Sequence, residues 1–217
     1  MTRFLACLAL VLAAPLAFAQ ALPPPAQPQP AGPGYELINP PQPTASGNKV
    51  EVIEVFSYGC IHCAHFQPTV DTWKKKMPAN VQFSYLPAFF NPYFALMGRV
   101  FYTAEALGVQ EKSHDAVFTA IFDEKKPFQK MEDIAEFYKA YGTKPEDFIA
   151  TSTSFAVETK SRRAEELGKR YGIDGTPTII VNGKYRVGPK SAGGYDKIFD
   201  VVNKLIAQET AAAGTKK

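Results

Sequence analysis

The sequence predicts an α/β protein in which a mixed sheet flanked by helices is interrupted by an inserted helical subdomain. Residues 49–87 run strand, helix, strand, which is the order of a parallel βαβ unit. Asn182-Gly183, between two short β-branched segments, is a strong hairpin signal. Nearly ninety residues separate Pro87 from Pro177, whereas a crossover needs only about a dozen. We therefore expect several helices within one crossover.

The βαβ unit contains two strands and one helix. Its first strand, Lys49–Phe56, is β-branched and mostly apolar, which is typical of burial on both faces. Cys60 and Cys63 follow, and then apolar residues at helical spacing: Phe66, Val70 and Trp73. Val81–Leu86 alternates as the second strand, and Tyr35–Ile38 predicts a short strand before the unit.

The rest of the chain completes the predicted fold. Residues 91–154 have helical periodicity, and a second long helix covers about Phe155–Tyr171. The hairpin strands are Pro177–Val181 and Lys184–Val187, and Tyr195–Gln208 predicts an amphipathic closing helix. The expected organisation is a main domain of residues 35–90 and 155–208, an inserted helical subdomain at 91–154 and a flexible tail at 209–217.

The N-terminus predicts export. Residues 1–19 carry one charge, Arg3, then an apolar run that ends in Ala17-Phe18-Ala19, the pattern of a cleaved signal peptide. An uncleaved membrane anchor is the alternative, but the run is short and contains Pro15, whereas a span needs about 20 residues. Residues 20–34 are rich in proline and predict a disordered linker. We expect no stable membrane insertion after cleavage.

Charge and cysteine content narrow the function. Without residues 1–19 the chain has 23 basic and 21 acidic residues, a net charge of +2, which gives no reason to expect a nucleic-acid partner. Cys60 and Cys63 are then the only thiols. A structural disulfide is the alternative to a reactive one. Closing so short a loop stabilises a fold by only about 2 kcal/mol, and a core of this size hardly needs it.

The position of the Cys-x-x-Cys pair favours reactive sulfur. It lies where a buried strand turns into a helix, so the first helical N–H groups lack partners and the helix dipole favours negative charge. A thiolate on Cys60 is stabilised there, and the thiolate is the reactive form. His62, between the cysteines, is expected to stabilise the same thiolate; the alternative is a surface histidine without a role.

Two segments carry a resemblance to a known family. Glu54-Val55-Phe56-Ser57-Tyr58-Gly59-Cys60-Ile61-His62-Cys63, the helical insertion, and Gly175-Thr176-Pro177-Thr178 followed by Val181-Asn182-Gly183-Lys184-Tyr185 resemble the DsbA family. Those proteins are periplasmic thiol:disulfide oxidoreductases with a thioredoxin-like fold. The resemblance covers about residues 35–208.

The resemblance implies roles for individual residues. Cys60 would be the exposed nucleophile and Cys63 its buried partner. Pro177 would be a cis-proline facing the disulfide, with Thr176 against the Cys60 sulfur. Ile61, Thr176 and Pro177 would contact substrate. Glu54 would be a buried proton acceptor for Cys63, the alternative being a carboxylate in solvent.

The sequence also departs from the family pattern. Ile61 stands where the family usually has proline, and Gln67 stands where an acidic residue often lies. The strand at residues 81–87 lacks the lysine that the family often carries there. These departures concern the proton relay around Cys63 and the oxidising strength.

The leading interpretation is a periplasmic enzyme that donates its disulfide to reduced exported proteins. By resemblance, a membrane quinone-linked partner such as DsbB would reoxidise it, and no cofactor is expected. An isomerase or reductase of the same fold is the alternative with the same chemistry. A structural zinc module, with Cys60, Cys63 and two of three histidines as ligands, is the alternative from another class; the histidines are His62, His65 and His114.

Overall fold

Five strands form one mixed sheet in the computed structural model, which describes residues 34–214. They are β1 (Glu36–Leu37), β2 (Val50–Phe56), β3 (Val81–Pro87), β4 (Thr178–Val181) and β5 (Tyr185–Val187). Their order across the sheet is β1-β5-β4-β2-β3. β2 and β3 are parallel, and the other neighbouring pairs are antiparallel. The predicted mixed sheet is confirmed.

Helices cover both the crossover and the C-terminal part of the described chain. The α-helices are α1 (Ile61–Lys74), α2 (Pro92–Ala106), α3 (Gln110–Phe122), α4 (Met131–Tyr138), α5 (Pro145–Ser152), α6 (Phe155–Arg170), α7 (Pro189–Ala192) and α8 (Ile198–Gly214). Short 3₁₀ turns lie at Lys139–Tyr141 and Tyr195–Lys197. In residues 34–214 no helix combines the length and apolarity that crossing a bilayer requires.

β2 lies inside the sheet and positions the cysteine pair. All seven of its residues are buried, as its β-branched composition predicts. It pairs with β3 along its whole length and with β4 from Val52 to Val55. Its carboxyl end therefore lies next to the start of β4, so the Cys-x-x-Cys turn and the Thr176-Pro177 turn meet at one edge of the sheet.

The hairpin between β4 and β5 follows its sequence signal. Asn182 and Gly183 have φ of 51° and 64°, the left-handed values of a type I′ turn. A Cβ at Gly183 would lie 2.1 Å from the carbonyl oxygen of Gln42. Glycine is needed there both for the backbone angle and for the close approach.

The four helices α2–α5 lie between β3 and α6, where an insertion is predicted. Their buried residues form one core cluster together with the ends of β2 and β3. Arg99 of α2 donates from Nη1 to the Ser152 carbonyl (2.9 Å) and from Nη2 to Glu158 of α6 (2.7 Å). The insertion thus packs against α6 and the sheet through buried apolar residues, and the part-buried guanidinium of Arg99 adds hydrogen bonds to this contact.

The predicted flexible tail at 209–217 is wrong over most of its length, because α8 continues to Gly214. Glu209 is buried and accepts hydrogen bonds from Asn182, Lys184 and the Tyr185 hydroxyl. These bonds join the last turns of α8 to the hairpin. The predicted signal peptide at 1–19, nearly all of the predicted linker at 20–34 and the last three residues of the predicted tail lie outside the described residues.

Candidate active site

The two cysteines stand at the first turn of α1. Cys60 is the N-cap, with extended backbone (φ −103°, ψ 111°), and its Sγ accepts the N–H of Cys63 at 3.3 Å. Cys60 is 8% exposed and Cys63 only 1% exposed, and both are free thiols. Cys60 is therefore the more accessible residue of the pair.

The pKa values of the two thiols are moved in opposite directions. A hydrogen bond from the Cys63 side chain, followed by bonds from the Thr176 side chain and from the backbone N–H groups of Cys63 and His62, lowers the pKa of Cys60 to about 6 against the effect of burial. Burial, and then the hydrogen bond and charge of Cys60, raise the pKa of Cys63 well above its usual range. At neutral pH the pair therefore has one thiolate, on Cys60, and one proton, on Cys63.

The loop before β4 lies against the Cys60 sulfur. The Thr176–Pro177 peptide bond is cis, and the Thr176 carbonyl oxygen is 3.4 Å from Cys60 Sγ. Thr178 Oγ1 donates to the Gly175 carbonyl at 2.8 Å and closes this turn. The contact is made by the carbonyl of Thr176, while its side chain lowers the pKa of the Cys60 thiol. The structure thus brings together Cys60, Thr176 and Pro177, residues that the sequence places more than a hundred positions apart.

Glu54 lies beneath the pair on β2. It is 1% exposed, and burial, only partly offset by the charge of Lys74, raises its carboxyl pKa to about 8. Its Oε2 has no hydrogen-bond partner within residues 34–214. The charge of Glu54 also contributes to the raised pKa of Cys63, so the two groups interact electrostatically. The alternative of a solvated carboxylate is excluded, and the site contains a carboxyl that holds its proton at neutral pH.

Three comparisons with known proteins agree. The model of the DSBA-like thioredoxin domain family matches residues 51–205. A thiol:disulfide interchange protein DsbA of Pseudomonas syringae pv. tomato is 42% identical over 192 residues, which are 88% of this chain and 90% of that protein.

The chain belongs to the DsbA family.

Solved structures of the family have the same fold. The crystal structure of Pseudomonas aeruginosa DsbA has a TM-score of 0.80 at 40% identity and covers 86% of this chain and 97% of that chain. The oxidoreductase DsbA from Xylella fastidiosa has a TM-score of 0.78 at 32% identity, covering 82% and 96%. The DsbA-type thioredoxin fold is confirmed, and the protein is a thiol:disulfide oxidoreductase that acts on substrate proteins by dithiol–disulfide exchange.

One hydrogen-bond network of this DsbA-family protein is not visible in its sequence. His114 of α3 is buried, with Nδ1 2.9 Å from the Tyr58 hydroxyl and Nε2 3.3 Å from Gln67 Oε1. Gln67 Nε2 in turn donates to the Tyr85 hydroxyl at 3.1 Å. Burial lowers the pKa of His114 to about 3, so the ring is neutral. His114 thereby joins the insertion to the turn before Cys60 and to α1.

The network also shows which groups lie at two of the three departures from the DsbA pattern, namely at Gln67 and beside the strand that lacks lysine. Gln67, at the place of the acidic residue, is buried and fully hydrogen-bonded. In the absence of a lysine on β3, Lys74 from the last turn of α1 supplies positive charge, with Nζ 3.4 Å from the Tyr85 hydroxyl. Its charge acts to lower the pKa of Glu54.

The observed positions of the histidines argue against the zinc alternative. His114 is held by Tyr58 and Gln67, while His62 and His65 are exposed. Within residues 34–214 no group of three or more His, Cys, Asp and Glu side chains is arranged to hold a metal ion. The functional groups at this site are the sulfurs of Cys60 and Cys63 and the buried carboxyl of Glu54.

His62 and Ile61 face solvent beside Cys60. Ile61 is 38% exposed, and the His62 ring is stacked on Tyr195 with centroids 5.9 Å apart. The backbone N–H of His62, not its ring, is among the groups that lower the pKa of Cys60. The expected effect of the imidazole on the thiolate stays a prediction. Sequence reasoning missed Tyr195, which it placed at the start of the closing helix without a role.

A wide groove of the described chain lies away from the sulfurs. It has a volume of about 1080 Å³ between α1 and α8, and its lining includes Trp73, Phe199 and Ile206 but neither Cys60 nor Cys63. Disulfide exchange takes place at the cysteine pair at the start of α1, outside this groove.

Proposed function

We propose that the protein donates the Cys60–Cys63 disulfide to reduced proteins after their export to the periplasm, and so assists their oxidative folding. The observation that carries this proposal is the N-cap position of Cys60, whose Sγ accepts the Cys63 N–H at 3.3 Å next to a fully buried Cys63. The opposite pKa shifts of the two thiols agree with it. A disulfide whose reduced form contains a stabilised thiolate is a strong oxidant, because reduction is then favourable.

The reaction follows from the geometry. A substrate thiolate attacks the Cys60 sulfur, the Cys60–Cys63 bond breaks, and a mixed disulfide forms between substrate and Cys60. Cys63 leaves as a thiolate and takes a proton, which the protonated carboxyl of Glu54 can supply. A second substrate thiolate then attacks the substrate sulfur of the mixed disulfide. Cys60 leaves as a thiolate, and the two electrons from the substrate dithiol remain on the enzyme.

The groups around Cys60 have supporting roles in this proposal. The hydroxyl of Thr176 and the helix N–H groups stabilise the departing Cys60 thiolate. The Thr176 carbonyl lies against the sulfur, and Ile61 is exposed next to Cys60 in sequence. With Pro177 these residues would form the surface that a substrate chain contacts, and His62 would add a polar ring to it. Glu54 accepts the Cys63 proton again when the enzyme is reoxidised.

Reoxidation and location complete the proposal. The reduced pair needs an oxidant, and the family resemblance supports a membrane quinone-linked protein such as DsbB. Ala17-Phe18-Ala19 supports signal cleavage before Gln20 and release into the periplasm. N-terminal sequencing of protein from a periplasmic extract tests this: a first residue of Gln20 is expected, and an intact N-terminus in the membrane fraction would contradict it.

The catalytic proposal is tested by single turnover. Oxidised protein is mixed with an unfolded substrate that has two reduced cysteines, and the substrate disulfide is quantified. We expect full oxidation by the wild type and none by Cys60→Ser. Cys63→Ser joined through Cys60 to a substrate that has a single cysteine should stay a mixed disulfide, because there is no second substrate thiolate to resolve it. Equilibration with glutathione separates oxidase from reductase, since a reductase would keep its disulfide even in strongly reducing buffers. Substrate oxidation by Cys60→Ser at the wild-type rate would refute the assignment.

A further inference from the structure

Tyr195 lies across one face of α1 next to the cysteine pair. Its ring is stacked on His62, with centroids 5.9 Å apart and planes at 20°, and it contacts Phe66 at 6.2 Å. His62 and Phe66 are four residues apart, so they lie on the same face of the helix. Tyr195 is 39% exposed, so the stacked pair lies at the protein surface.

The backbone and the core fix the position of Tyr195. It follows Gly193 and Gly194, whose φ values of 82° and 143° are ones that residues with side chains rarely adopt. Beneath it, Phe66 stacks on Phe199 with centroids 5.5 Å apart and planes at 6°. Phe199 stacks in turn on Trp73 at 4.6 Å. The tyrosine therefore rests on a column of packed rings and is held more firmly than an isolated surface side chain.

The ring is also close enough to the sulfurs to interact with their charge. Partial burial, and then the charges of Cys60 and Cys63, raise the pKa of the Tyr195 hydroxyl. His62 is the second residue of α1, two positions after Cys60. An exposed histidine at such a place would sample several rotamers, whereas a stacked ring favours one.

We propose that Tyr195 is a positioning residue for the dithiol: it holds the His62 imidazole beside Cys60, where the ring stabilises the thiolate and so favours donation of the disulfide. This inference rests on the function proposed for Cys60 and Cys63. Tyr195, which lies outside the Cys-x-x-Cys motif, would then help to set the redox equilibrium of Cys60 and Cys63. Aromatic pairs of this geometry change equilibrium constants by about twofold to tenfold.

A double-mutant cycle between Tyr195 and His62 tests the proposal. The two readouts are the equilibrium constant for oxidation of glutathione and the pH midpoint of the Cys60 thiolate absorbance. Y195A is expected to lower that constant by about twofold to tenfold and to raise the midpoint. Y195F keeps the ring and should stay within about twofold of the wild type. In the H62A background, Y195A should have no further effect.

The controls separate positioning from stability. Tyr35→Ala removes another ring pair, in which the Tyr35 and Tyr185 centroids are 5.1 Å apart at the β1–β5 edge of the sheet. It should leave both readouts unchanged. Y195L covers Phe66 without a flat ring and should behave like Y195A; it also serves if Y195A does not fold. Equal effects of Y195A with and without His62, or none at all, would overturn the inference. Failure of the proposed function would look different, because no variant would then exchange its disulfide with glutathione.

Discussion

Replacing Glu54 by glutamine should make the protein more stable, and increasingly so as the pH rises. Burial raises the carboxyl pKa from 4.5 to about 8. Between these values the folded protein keeps a proton that the unfolded chain releases, so wild-type stability falls with rising pH. At about 1.4 kcal/mol per tenfold change, the loss is about 3 kcal/mol at pH 7 and about 5 kcal/mol above pH 8. Glutamine does not ionise and avoids this loss.

Urea unfolding of the oxidised proteins between pH 5 and pH 8 measures the effect, since the disulfide removes the thiolate charges. The free energy difference between E54Q and wild type should grow by about 1.4 kcal/mol per pH unit. Val52→Ala, on the same strand, is the matched control: it should lower the free energy of unfolding by about 2 kcal/mol at every pH. A pH-independent difference for E54Q would show that Glu54 ionises normally in the fold, and would remove it as a proton store for Cys63.

Three further changes test other contacts. Thr176→Val should raise the Cys60 pKa from about 6 by about one pH unit, measured by thiolate absorbance. Thr176→Ser keeps the hydroxyl and should leave that pKa unchanged. Equal pH midpoints for Thr176→Val and the wild type would exclude the hydrogen bond from the Thr176 hydroxyl to Cys60. Because the neutral His114 has a folded pKa of about 3 against an ordinary 6.5, stability should fall as pH drops below 6.5. The stability gap between wild type and His114→Phe should therefore narrow by about 3 kcal/mol from pH 6.5 to 4 in urea unfolding, and a constant gap would contradict a buried neutral ring. Ending the chain after Gln208 should cost about 2–3 kcal/mol in thermal or urea unfolding, because the hairpin loses Glu209, while ending it after Gly214 should not; equal stability would mean that Glu209 is dispensable.

The parts of the fold that depend on local sequence could be predicted. β2, α1 and β3 follow from β-branched runs, helical periodicity and proline, and the Asn182-Gly183 turn has the backbone angles that its residues favour. The N-cap position of Cys60 follows from the strand-to-helix transition. The approach of Thr176 to Cys60 needed the family resemblance, because no periodicity relates residues so far apart.

The contacts that sequence reasoning missed are long-range and involve polar groups. His114 meets Tyr58 and Gln67 at separations of 56 and 47 residues, so nothing in its own helix indicates those partners. Glu209 precedes an alanine-rich segment that reads as a solvated end, and it is buried only because the hairpin lies beside it. A charged residue near a chain terminus is usually exposed. Tertiary packing decides the exception.

The single tryptophan of the chain has a practical consequence. Trp73 lies on the same helix as Cys63, roughly 15 Å further along at 1.5 Å per residue, and its Nε1 donates to Asn203 of α8 at 2.9 Å. At that separation contact quenching by the sulfurs does not reach the indole. A change in Trp73 fluorescence on reduction of the disulfide would thus indicate that α1 shifts against α8. An unchanged spectrum would mean that reduction and oxidation of Cys60 and Cys63 do not move α1.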